Sequence, residues 1–316
     1  MSTLASLVLA MHLAATPPTA PATEAVPGTS AELIAEQADW RARRLAGLTR
    51  PEGWLSLVGL HWLEPGTHTI GADPDAAIEL AIGPKRLGSL TVTAPAEGTP
   101  AAVTLALATG VAARIEQAAV DLAADGAVTA TLGSDADGKV PSRVQLGEAS
   151  FTLIDRSGKL ALRVRDPAAP TRTGFTGLDY YPVDSQWRIE ATLARYAEPK
   201  MIEIATIVGG IEPTPSIGQA VFEHAGREYR LELLEETPGA TSWFVIFGDR
   251  TNGRETYGMA RFLYATPLGE DRVVVDFNKA YNPPCAFTPY ATCPMPPDGN
   301  RLDFPVRAGE KKYAGS

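Results

Sequence analysis

Between Asp276 and Lys311 the chain reads DFNKAYNPPCAFTPYATCPMPPDGNRLDFPVRAGEK, and no other stretch constrains the fold as strongly. Seven prolines interrupt it. Each proline removes an amide donor and fixes φ, so neither a helix interior nor a central strand can run through. What remains is a long loop of a kind that compact domains seldom carry without a functional reason. Both cysteines of the 316-residue chain lie inside it.

Upstream, short apolar runs alternate with turn residues. With 29 glycines and 26 prolines, the composition favours many short strands over a few long helices. One helix is expected first, over residues 29–50. Thr29 and Glu32 form a capping-box pattern, Leu33, Ile34, Trp40, Leu45 and Leu48 lie near helical spacing, and Pro51 stops it. Arg41, Arg43 and Arg44 are assigned to the negative end of its dipole. Strands follow from Trp54 onward, with Ser157-Gly158, Ala225-Gly226, Asn252-Gly253 and Pro267 to Glu270 as turn signals. Trp187, Ile189, Ala191 and Leu193 alternate onto one face of a strand. The fold expected is therefore mainly β: two antiparallel modules, sandwich or barrel-like, preceded by one helix. The break at Asp166 to Pro170 divides them into 51–168 and 169–316.

Residues 1–28 read as an export signal and flexible terminus. Leu4 to Ala15 is an apolar run of signal length, too short to span a bilayer, and Ala20-Pro21-Ala22 offers a small-x-small cleavage site. A periplasmic or secreted location is expected; because Met1 to Thr3 carries no Lys or Arg, a cytoplasmic one stays open. No later segment is long and apolar enough to cross a membrane as a helix. A net charge of −9 argues against general nucleic-acid binding, which requires a basic surface. No nucleophile elbow, zinc-protease motif, phosphate loop or dinucleotide fingerprint occurs, so no cofactor and no metal are expected.

The chemistry-bearing residues cluster in and beside the proline-rich loop. Cys285 and Cys293 are expected to form a disulfide if the chain is exported; such a bridge would contribute about 2.5 kcal/mol. A catalytic thiol assisted by His224 is the alternative. Asp276 and Asn278 would share one face at a strand end, followed by Tyr281 and Asn282, with Asn300, Arg301, Arg307 and Glu310 on the return. The arginine forks suit a carboxylate or phosphate, or else an internal ion pair. Asp249 to Tyr257, DRTNGRETY, is a second polar knot, read as a solvated loop tip.

His68-Thr69-Ile70-Gly71-Ala72-Asp73-Pro74-Asp75, then Ile78-Glu79-Leu80, resembles the opening of a forkhead-associated sandwich. That phosphopeptide reader carries Arg where this chain has Ala72, so the resemblance implies a scaffold or docking module with a protein partner. Gly53 to Leu63, the Asp179 to Asp184 turn, Asp249 to Leu263 and the whole Asp276 to Lys311 signature are similar to a widespread bacterial family of β-rich proteins of unknown function. The similarity extends from about Arg50 onward and implies no activity. Function is therefore inferred from the residues. The leading expectation is a small polar ligand, anionic or sugar-like, bound by Asp276, Asn278, Tyr281, Asn282, Asn300, Arg301 and Arg307, with the Cys285–Cys293 loop as rim. A hydrolase using Asp276 or Glu310 as general acid or base, and a structural protein whose loop is a folded clasp, stand beside it.

Overall fold

A computed structural model describes residues 23–97 and 99–315. The signal-like segment up to Ala22 lies outside the described residues. The first element is a helix, α1 (Ala31–Thr49). Ser30 caps it, its hydroxyl accepting from the Leu33 amide at 3.2 Å. Thr29, the expected cap, instead donates to the Val183 carbonyl. Leu33, Gln37, Arg41 and Leu48 form the buried stripe of α1. Two of these are polar, and they can be buried only because partners wait on the facing surface.

Eleven strands build the first module: β1 (Leu57–Trp62), β2 (Gly66–Gly71), β3 (Ile78–Glu79), β4 (Gly88–Thr93), β5 (Ala102–Leu107), β6 (Arg114–Glu116), β7 (Ala118–Leu122), β8 (Val128–Leu132), β9 (Arg143–Leu146), β10 (Ala149–Arg156) and β11 (Lys159–Arg165). They form a six-stranded sheet in the order β3-β2-β4-β5-β8-β7 and a five-stranded sheet in the order β1-β11-β10-β9-β6. Leu90, Val103 and Leu105 from the first meet Phe151, Leu162 and Val164 from the second in one core. The β10–β11 hairpin turns at Ser157-Gly158, as the sequence predicts.

After a one-turn helix, α2 (Pro170–Thr173), six strands close a barrel: β12 (Arg188–Ala205), β13 (Ile211–His224), β14 (Arg227–Leu234), β15 (Trp243–Phe247), β16 (Arg261–Pro267) and β17 (Arg272–Asp276). Ala191 and Leu193 enter the barrel core, with Trp187 and Ile189 packed against it. This is the alternation read from the sequence. The strand that carries this alternation runs on past Met201 to Ala205, with a register irregularity between Arg195 and Lys200. Leu302, Phe304, Val306 and Ala308, on the return limb of the proline-rich loop, also enter the barrel core. They alternate with exposed residues although the limb is no strand.

The Asp249 knot is a solvated tip only in part: Arg250, Gly253 and Arg254 are exposed, but Thr251 and Thr256 are buried. The side chains of Asp249 and Arg261 are fully buried and paired at 2.7 Å. Arg261 also donates to the Val306 carbonyl at 2.7 Å and to that of Ala308, while Asp249 accepts from the Thr251 and Val306 amides. This pair fastens the return limb to β16. Removing one partner of a buried pair leaves an uncompensated charge. We expect Arg261→Met to cost about 3–5 kcal/mol in a urea melt, far more than an exposed arginine would.

Candidate functional site

Two carboxylates of the proline-rich loop, Asp276 and Glu310, face α1. Asp276, at the end of β17, accepts from Gln37 Nε2 at 2.8 Å and from Arg188 at 3.2 Å. Its other oxygen accepts from the backbone and side-chain amides of Asn278. Asn278 is spent on Asp184, accepting from its amide at 3.0 Å and donating to its carbonyl at 2.9 Å. Glu310 is fully buried and accepts from Arg44 Nε at 2.8 Å and from the Asn282 amide at 2.7 Å. Burial alone would lower the Arg44 pKa, but the charge and hydrogen bond of Glu310 outweigh it and hold it above the ordinary arginine value. Arg41 donates to the Tyr181 carbonyl at 3.0 Å. The basic cluster of α1 thus serves tertiary docking, and only Arg43 is left exposed.

Gly309 makes this approach feasible. It sits at φ +77, and a Cβ there would collide with the Ala280 carbonyl, which accepts from the Glu310 amide at 2.8 Å. Asn300 plays a similar structural part elsewhere: its carbonyl oxygen accepts from the Glu232 amide at 2.7 Å, and its amide donates to Ile246 at 2.9 Å. Arg307 is exposed and pairs in bidentate fashion with Glu255, both contacts at 3.0 Å. Arg301 is exposed and lines a hollow of about 330 Å³ with Asp249, Asn252 and Asp303. Asp276 borders neither that hollow nor the larger cavity described next.

That larger cavity, of about 500 Å³, opens where the barrel exterior, the proline-rich loop, α1 and the first module meet. Ile204, Leu234, Phe244, Ile246, Phe262 and Tyr264 supply the barrel wall; Tyr281, Pro284, Thr292 and Cys293 supply the loop wall. Arg44 reaches in from α1, and Trp54 and Arg156 from the first module. Tyr281 stands edge-on to Phe262 with ring centres 5.8 Å apart, and the Arg44 guanidinium lies 4.6 Å from its ring centre. Burial raises the pKa of both the Tyr264 and Tyr281 phenols, keeping them as neutral donors. The Tyr264 hydroxyl donates to Glu236 at 2.5 Å. Glu212 and Glu236 line the cavity without an ion-pair partner among the described residues.

Cys285 and Cys293 are bridged, and the loop they close is pinned to the barrel by the Ile207 amide on the Cys293 carbonyl. No free thiol remains among the described cysteines. His224, the base of the thiol alternative, stacks on Phe304 at 4.0 Å. Of the residues singled out from the sequence, Tyr281 and Cys293 reach the cavity. The others named above the sequence could have flagged in one way. In β15 every residue from Trp243 to Phe247 is apolar and buried, so the barrel's outer face there must be covered. Trp243, Val245 and Phe247 face inward, leaving Phe244 and Ile246 for the cavity side.

Residues 173–311 match a family described as "Protein of unknown function (DUF1684)". The match begins at the last residue of α2 and covers the barrel and the whole proline-rich loop, but not the first module. No curated protein matches the chain. Among solved structures, an uncharacterized protein of Haloarcula marismortui, determined by solution NMR, is 28% identical, with a TM-score of 0.39, over 46% of this chain and 81% of that one.

The contrast between Glu310 and Arg301 is measurable. Glu310→Gln keeps the shape but leaves Arg44 without its counter-charge, and should cost about 3–5 kcal/mol in a denaturant melt. Arg301→Ala, at an exposed position, should cost less than about 0.5 kcal/mol. Acid sensitivity follows from Glu36, Glu52 and Glu255. Burial acts to raise Glu36, but the Lys279 and Arg188 contacts prevail; Arg143 dominates at Glu52 and Arg307 at Glu255, so all three folded pKa values are lowered. Their stabilisation is complete above the ordinary glutamate range, near about 4.3, and is lost as pH falls through the lower folded values. A melting-temperature series across that interval should show the fall, shallower in high salt.

Proposed function

We propose that this protein binds a small polar ligand, sugar-like or anionic, in the Tyr281 cavity beside the disulfide loop, and that it works in an oxidising compartment. The observation that carries this reading is the convergence of an aromatic wall with polar groups, two of them carboxylates without an ion-pair partner among the described residues. Phe244, Phe262, Tyr264 and Tyr281 offer ring faces and edges, while Glu212, Glu236 and the two phenols offer acceptors and donors. A volume near 500 Å³ falls in the range of small-molecule sites. The Cys285–Cys293 bridge supports the compartment, since stable disulfides persist where thiols are not kept reduced.

This reading moves the ligand away from most of the residues the sequence suggested. Asp276, Asn278, Asn282, Asn300 and Glu310 are buried and engaged with backbone or side-chain partners, and in our reading they build the wall rather than touch the ligand. The clasp alternative is thereby absorbed into the binding one. A general acid or base must reach its proton, and the closed environments of Asp276 and Glu310 count against a hydrolytic role for either.

A melting scan across hexoses, hexuronates and small carboxylates tests the reading. A ligand at about a hundred times its Kd should stabilise the fold by about 2.7 kcal/mol. Thr214→Trp, a half-buried lining residue, should fill the cavity and abolish that gain without lowering the unliganded melting point appreciably. If no compound stabilises the wild type, or the variant responds equally, the ligand does not sit there.

A further inference from the structure

The wall contributed by the first module carries a charge imbalance. Arg156 is neutralised by Asp135, with contacts of 2.9 and 3.0 Å, and its Nε donates to the Thr292 hydroxyl at 3.1 Å. Arg163 donates to the same oxygen at 3.1 Å and lies 5.5 Å from the Trp54 ring centre. It is only 5% exposed, its Nε has no hydrogen-bond partner, and no carboxylate among the described residues lies within 4.0 Å. Burial, with the Arg156 and Arg165 charges adding, pushes its pKa down to about 10. A cation taken from water without a counter-charge is costly, and folds rarely retain one without a use.

Thr292 accepts both arginine donors, so its own proton is free to point elsewhere. Thr292, Trp54 and Arg156 all line the cavity, with Arg163 directly behind them. Resting on the binding reading above, we propose that the Thr292–Arg156–Arg163 wall is an anion subsite and that the ligand is a ring compound bearing one acidic group. The acidic group accepts from the Thr292 hydroxyl and supplies the charge Arg163 lacks. The ring lies toward Phe262 and Tyr281, and its hydroxyls meet Glu212 and Glu236. Those carboxylates do not cancel the attraction: Glu236 is exposed and screened by water, whereas Arg163 is buried and screened far less.

Two fluorescent probes separate the subsite from the cavity: anilinonaphthalene sulfonate, which is anionic, and the neutral phenylnaphthylamine. In the wild type the sulfonate should bind at least about ten-fold tighter, as a charged hydrogen bond provides. Arg163→Met should bring the two affinities together while leaving the neutral dye unchanged. Should that variant not fold, Arg156→Gln replaces it and should also narrow the gap. Thr214→Trp should expel both dyes. Equal affinities in the wild type, or a preference that survives the arginine substitution, overturn the anion subsite while leaving the cavity reading intact. Failure of either dye to bind, or binding indifferent to Thr214→Trp, removes the cavity reading and the subsite with it.

Discussion

Glu310 is buried without exposed surface, and its charge is tolerable because Arg44 arrives from 266 residues away in the sequence. The pair does more than satisfy a carboxylate. It fixes the Asn282 amide and carbonyl, holds Arg44 over Tyr281 and so sets one edge of the cavity. A buried pair of this kind adds little net stability compared with an apolar contact, because desolvation offsets attraction. What it adds here is position. Gln37 with Asp276, and Glu36 with Arg188 and Lys279, repeat the arrangement along α1. The helix precedes the first module in sequence but is bolted to the second.

The two modules keep separate main apolar cores; Trp54 and Leu55 of the first pack into smaller apolar clusters of the second, and polar contacts join the modules beside the disulfide loop. The first core draws on residues between Ile70 and Val164, the barrel core on residues between Ala191 and Ala308. Between them, Arg156 and Arg163 both reach Thr292, and Ser157 donates to the Ile211 carbonyl. Apolar interior would seal such a seam. Polar groups and aromatic rings instead leave it partly open, and a cavity walled by aromatic rings forms there.

Much of the fold was legible because period and punctuation were clean. Ala191 and Leu193 alternate, Ser157-Gly158 turns, and the disulfide loop closes on itself. The errors have physical causes. Arg41 and Arg44 sit where a helix dipole would favour them, and nothing local reveals that a buried carboxylate lies opposite. Asp249 looks solvated until Arg261 is brought beneath it by the barrel. Leu302 to Ala308 alternates like a strand, yet Pro305 and the missing strand partner keep it irregular. Of the candidate cavity's lining, the sequence singled out only Tyr281 and Cys293, since Arg44, Trp54, Arg156 and Phe262 converge from four segments distant in the chain. Local pattern reports which face is buried, but which faces meet is a property of topology.

The separation of α1 from its dock also dictates an order of events during synthesis. At about 5–20 residues per second, the helix leaves the ribosome many seconds before Glu310 exists. Throughout that interval Leu33 and Leu48 have no complete surface to cover them, while the first module, whose core is contiguous in sequence, can already close. The barrel in turn receives Leu302 to Ala308 only with its last segment. Closure of so long a loop carries an entropy cost before any contact is gained. The nascent chain therefore carries an amphipathic helix without its dock for most of its translation.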